Sequence, residues 1–147
     1  MGVKVRKILA PVDRSKYKEK IIEYAISLGK AWEAEIVAIH VIDPGRGIPG
    51  ARIKEKELER QEQAIRPAQE LLNEVDLLAE KEGVNIKKEV VKQSDTVGKA
   101  IIDYAKKNNF DVVIIGTTGM GRVQVLFLGS VANYVIRRAH CPVFAVR

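Results

Sequence analysis

Glycines at positions 116, 119 and 129, with a serine at 130, punctuate the stretch IIGTTGMGRVQVLFLGSVANYV (residues 114–135). An apolar run ends there and a helix is about to begin. Glycine lets a ligand come close to the backbone and also permits positive φ. Successive N–H groups in such a turn form a concave anion-binding nest. A helix opening on Gly129-Ser130 adds unpaired amides and the positive end of the helix dipole. The Ser130 hydroxyl can bond a phosphate oxygen or cap its own helix. The chemistry these residues could support together is the holding of phosphate. The stretch is not a Walker A loop, because no glycine is followed by Lys-Ser or Lys-Thr, and its gaps differ from those of the G-x-G-x-x-G dinucleotide fingerprint.

Other reactive residues are sparse. Asp13 follows the first apolar run and reads as a carboxylate facing a ligand, as a cap of the first helix, or as a partner of Arg14 or Lys16. His40 stands inside an apolar run and reads as a satisfied core or lining residue rather than a metal ligand. His140 and Cys141 are adjacent, but a single pair lacks the ligand number of a zinc site. The two histidines give no Ser-His-Asp arrangement, because neither has an evident orienting partner.

The elements that must position these residues follow from period and punctuation. Residues 5–12 (VRKILAPV) read as a strand. A helix follows with Ser15 as its N-cap and Ile21, Ile22, Ala25 and Ile26 at helical spacing. Residues 35–43 form a second strand ended by Pro44-Gly45, and the loop PGRGIPG leads into a long charged helix from 53 to about 82. Pro67 should kink that helix or split it in two, and Gly83 should stop it. Residues 84–92 form a third strand whose partial alternation suits a sheet edge. Ser94 or Asp95 caps a helix running to 107, residues 111–116 form a fourth strand, 129 to about 140 a last helix, and PVFAVR a fifth strand. Five apolar strands alternating with four helices predict one α/β domain spanning residues 1–147, a doubly wound open parallel sheet of Rossmann-like type. With strand order 3-2-1-4-5 the sheet reverses between strands one and four, and ligands of open α/β sheets bind beyond the strand ends at that switch. Residues 11–13 and 116–119 would meet there.

Composition narrows the classes. At 147 residues, 46% apolar and 30% charged, the chain suits one globular domain. No apolar run reaches the roughly 20 residues of a membrane span. One cysteine excludes an internal disulfide and fits a cytoplasmic setting. The net charge of +6 is dispersed and aromatics are only 5%, which leaves few stacking platforms and argues against a nucleic-acid partner.

The spacing Gly116-x2-Gly119-x9-Gly129-Ser130 resembles the G-x2-G-x9-G-[S/T] nucleotide signature of the universal stress protein family. KILAPVDRS, AIHVID and the C-terminal third are similar to the family's first strand and turn, second strand and final elements. The resemblance implies an adenine-nucleotide-binding protein of the family's ATP-binding branch, acting as a nucleotide-dependent switch in stress response. It places Pro11 and Asp13 against the adenosine, with the carboxylate near the ribose hydroxyls, and Val41 against the adenine edge through its main chain. Ile115 and Gly116 would line the nucleoside. Gly119, Gly129, Ser130 and Val131 would hold phosphates. The ligand would be ATP, ADP or AMP, with Mg or Mn shielding the phosphates. It also implies a homodimer through the C-terminal strand, and the switch reading a protein partner. Met120 departs from relatives that carry a basic residue there, and Arg122 is the nearest replacement. Hydrolysis is expected to be slow or absent without a partner, since no lysine or arginine is securely placed for phosphoryl transfer. The alternative is an interaction module of the same fold that binds no nucleotide.

Overall fold

A computed structural model describes residues 2–43, 54–93, 95–118 and 128–147. The apolar runs become strands β1 (Lys7–Pro11), β2 (Glu35–Ile42), β3 (Ile86–Lys92), β4 (Val112–Gly116) and β5 (Val143–Val146). Between them lie helices α1 (Lys18–Trp32), α2 (Lys54–Lys81), α3 (Val97–Lys107) and α4 (Ser130–Arg138). All pairings are parallel and the order is β3-β2-β1-β4-β5, so the sheet is the open five-stranded one expected. The partly alternating third strand is indeed an edge, pairing only with β2.

Alternation along the central strands assigns side chains to two cores. Ile8, Ala10, Ile36, Ala38, Val112 and Ile114 pack with Ile22 and Ala25 of α1 and Leu72 and Val75 of α2. Leu9, Val37, Ile39, Val113 and Ile115 pack on the other face with Ile101 and Ala105 of α3 and Ala132 and Val135 of α4. Because both faces are covered, neither parity can be polar, which is why these strands read as unbroken apolar runs.

The helix ends show where local signals compete with tertiary ones. Gly83 stops α2 as expected: its φ is +63°, its N–H donates to Glu80 O and the Val84 N–H to Ala79 O, the paired bonds of a left-handed helix stop. Ser15, however, is not the cap of α1. The Asp13 carboxylate accepts the Ser15 N–H at 2.8 Å and the Ser15 hydroxyl accepts the Tyr17 N–H at 3.3 Å, so both side chains stabilise a local turn before the helix. Tyr17 occupies the cap position with no side-chain bond. Pro67 does not split α2, which runs through it as one 28-residue helix. Ala68, Leu71, Leu72, Val75 and Ala79 keep the buried stripe going past the proline, and this packing outweighs one missing N–H. The cap of α3 is Thr96 rather than Ser94 or Asp95. Thr96 has extended backbone and its hydroxyl accepts the Lys99 N–H at 3.2 Å, while Ser94 lies outside the described residues. Helix α4 stops at Arg138, two residues short of the expected end.

Candidate functional site

The carboxyl ends of β1 and β4 are adjacent, and the chain leaves them in opposite directions across the sheet. From β1, the Val12 N–H donates to Ile39 O at 2.8 Å, and the Asp13 turn follows. That turn spends one carboxylate oxygen of Asp13 on the Ser15 amide; the other has no partner among the described residues. Arg14, a suggested partner of Asp13, instead donates to Pro67 O of α2 at 3.3 Å, and the Lys16 ammonium lies 5.4 Å from the centre of the Tyr17 ring.

From β4, Ile115 is buried and Gly116 is half-buried. The expected use of glycine for positive φ does not hold at Gly116 or at Gly129, whose φ is −61°. Gly116 is needed for close approach: a Cβ there would lie 3.0 Å from Tyr17 Cβ and 3.2 Å from Tyr17 Cγ. The neighbouring Thr118 and Thr117 side chains pull the Tyr17 phenol below the ordinary tyrosine range, which sets the start of α1 beside the end of β4. The Thr117 N–H is held by Val146 O of β5 at 2.9 Å. The Thr117 carbonyl accepts the Gly129 N–H at 2.7 Å, which brings the start of α4 back to the end of β4. Gly119 lies outside the described residues, as do Met120, Arg122 and residues 44–53 of the glycine-rich loop.

Gly129 is the N-cap of α4 and has no side chain to offer the helix amides. The first helical bond is Asn133 N–H to Gly129 O at 2.9 Å, so the amides of Ser130, Val131 and Ala132 have no acceptor within the helix. Ser130 is the first helical residue and does not cap the helix; its hydroxyl has no hydrogen-bond partner among the described residues. The first turn holds no acidic residue, so no side chain of that turn offsets the positive end of the dipole. Such a terminus is built for an anion.

These groups surround one cleft of about 340 Å³, within the range of small-ligand sites. Pro11 and Asp13 line one side, Val41 and His40 the end of β2, Ile115 and Gly116 the floor, and Gly129, Ser130 and Val131 the side at α4. All the anticipated residues within the described chain are thus brought together. Among the described lining residues none is a lysine or arginine. The described residues also contain no group of three or more His, Cys, Asp or Glu that would hold a metal by itself.

Sequence reasoning missed the apolar wall from α3, where Val97 and Ile101 face the cleft; their spacing of four residues at the start of a helix was the available signal. It also missed Tyr17, for which sequence carries no signal. His40 is the satisfied lining residue expected, with Nδ1 2.7 Å from Val12 O. His140 is likewise satisfied, its Nε2 lying 3.0 Å from Phe110 O. Burial pushes the Cys141 thiol up, aided by the Asp111 carboxylate, as befits an unreactive residue at a helix–strand junction.

The model of the universal stress protein family matches residues 4–147. The chain belongs to that family. A universal stress protein of Methanocaldococcus jannaschii is 36% identical over 146 residues, covering 97% of this chain and 82% of the relative. Among solved structures, the universal stress protein UspA of Lactobacillus plantarum superposes with a TM-score of 0.84 at 23% identity, covering 99% of this chain and all of that one. A universal stress protein of Archaeoglobus fulgidus, solved in complex with dAMP, superposes with a TM-score of 0.64 at 21% identity, again covering 99% of this chain and all of that one. At these identities the two structural likenesses show the shared family fold.

Proposed function

We propose that the cleft of this universal stress protein binds an adenine nucleotide, ATP in its fullest occupancy and ADP or AMP in part, and that occupancy acts as a switch in stress response. The observation that carries the reading is convergence. Four separate segments (Pro11 to Asp13, Val41, Ile115 to Gly116, and Gly129 to Val131) meet in one cleft, with amides at one end and a carboxylate oxygen at the other that have no partner among the described residues. A relative of the same fold was solved with dAMP, which supports the ligand class. In this reading Asp13 accepts the ribose hydroxyls, Val41 meets the adenine edge through its main chain, and Val97 and Ile101 cover the base. The Ser130 hydroxyl and the amides of Ser130 and Val131 take phosphate oxygens. Gly129 contributes by lacking a side chain, since its N–H already serves Thr117. Gly119 takes the family's phosphate role.

Mg or Mn would arrive with the phosphates, since such hard cations bind through phosphate oxygens and water with few carboxylates; Asp13 is the carboxylate within the cleft. Titration of Mg-ATP into the protein tests the reading, with one site per chain expected. Catalysis has little support, because the cleft's described lining offers no cation to neutralise charge developing on a transferred phosphoryl group. Single-turnover assays should show little cleavage over many minutes; rapid intrinsic cleavage would overturn this part of the account.

The whole chain acts as one domain in this proposal, in the cytoplasm, with a protein partner that reads the bound state. It pairs with a second copy through β5. That strand is a sheet edge, and its Phe144 is 41% exposed while resting against Trp32 with ring centres 6.2 Å apart. An uncovered apolar edge favours pairing. Equilibrium sedimentation at micromolar concentration should give a dimer, and a monomer would count against β5 as an interface.

A further inference from the structure

We infer that His40 holds the β1–β2 ladder open at its last rung and thereby makes the base-reading main chain of Val41 available. The inference rests on the nucleotide reading above and assigns to His40 a positioning role within it.

Successive residues of a strand inside a parallel sheet address their two neighbours alternately. Ile39 faces β1, since its carbonyl accepts the Val12 N–H at 2.8 Å. Ile42 faces β3, since its carbonyl accepts the Gln93 N–H at 2.9 Å. The N–H and C=O of Val41 therefore point toward β1, whose strand ends at Pro11. If the ladder ran one rung further, the Val12 carbonyl would accept the Val41 N–H. It does not: that carbonyl is bonded instead by the His40 ring, with Nδ1 at 2.7 Å. A carbonyl only accepts, so the proton sits on Nδ1.

Two consequences follow from this exchange of partners. No bond joins the Val41 N–H or C=O to the described residues that follow β1, the side to which they point, and Val41 lines the cleft. Val12 is held at both of its main-chain groups, its N–H by Ile39 O and its carbonyl by the His40 ring, which fixes the residue that precedes the Asp13 carboxylate. One imidazole thus governs base and ribose contacts together while leaving the amides of α4 untouched.

The test compares His40→Asn, whose side-chain amide nitrogen falls where Nδ1 lies, with His40→Gln, whose nitrogen is one carbon further out, and with His40→Leu. Binding of Mg-ATP and of AMP is measured by titration, amide exchange at Val41 by NMR without ligand, and the unfolding midpoint of each variant in denaturant. His40→Asn should bind like the wild type. His40→Gln and His40→Leu should lose about tenfold or more for ATP and AMP alike, one uncompensated hydrogen bond being worth that much. In His40→Leu the Val41 amide should also exchange more slowly, as the freed Val12 carbonyl takes it. Equal binding by all four proteins overturns the inference. So does a loss shared by His40→Asn, or a Val41 amide whose exchange is unchanged. Should His40→Leu fail to fold, the Asn and Gln pair decides the binding question. A wild-type protein that takes up no adenine nucleotide defeats the underlying reading, and the recognition role of His40 with it, an outcome distinct from selective failure of the variants.

Discussion

Ser130→Asp is expected to move stability and binding in opposite directions. A carboxylate in the first turn of α4 would complement a dipole that has no acidic residue there now, adding about 0.3–1 kcal/mol to folding. The same charge would stand where phosphate oxygens are to sit. Two unit charges about 4 Å apart interact by about 4 kcal/mol at the effective dielectric of a protein surface. With part of that lost to solvent and counter-ions, ATP affinity should fall by roughly a hundredfold. AMP should suffer less and adenosine hardly at all, because the penalty acts on phosphate charge. Denaturant unfolding and titration with the three ligands check both halves. A variant that is less stable and binds all three equally poorly would mean that α4 supports the cleft structurally and does not hold phosphate.

Asp13→Asn is the counterpart at the nucleoside end. The carboxylate oxygen of Asp13 that the Ser15 amide does not use is proposed to accept ribose hydroxyls, and hydrogen bonds to a charged group contribute about 1.5–3 kcal/mol. Neutralising it should weaken ATP by about tenfold to a hundredfold. The amide keeps an oxygen for the Ser15 N–H, so the turn at 2.8 Å should persist and the unfolding midpoint should change little. The loss should be smaller for 2′-deoxy-ATP, which has one fewer hydroxyl to offer. A loss identical for the two nucleotides, or none for either, would place Asp13 in the turn alone.

How far the sequence carried the reading depends on how local each cause is. The strand order was legible because β1, β2 and β4 are covered on both faces, and their apolar runs, broken by turn residues and helical stretches, leave few arrangements. The members of the cleft were legible because glycine and serine spacing is a property of the chain itself. The helix starts were not. QSDT offers three successive residues able to cap α3, and the choice of Thr96 depends on where β3 ends. Ser15 has a cap residue's chemistry, but Asp13 draws its amide into a turn. Continuity through Pro67 is decided by the sheet surface under Leu72, Val75 and Ala79, which no local window contains. The Nδ1 bond of His40 depends on the register between β1 and β2, residues 28 apart in sequence. The contact of Tyr17 with Gly116 joins α1 to β4 across most of the chain.

The central claim, an adenine nucleotide in this cleft, is tested most directly by purifying the protein with no ligand added, denaturing it, and identifying what is released by chromatography and mass spectrometry. The account predicts ATP, ADP or AMP approaching one per chain, or an empty protein that takes up added Mg-ATP at one site. A protein that releases no nucleotide and also fails to bind Mg-ATP would contradict it. The glycines would then serve backbone packing alone, and an interaction module would be the better description.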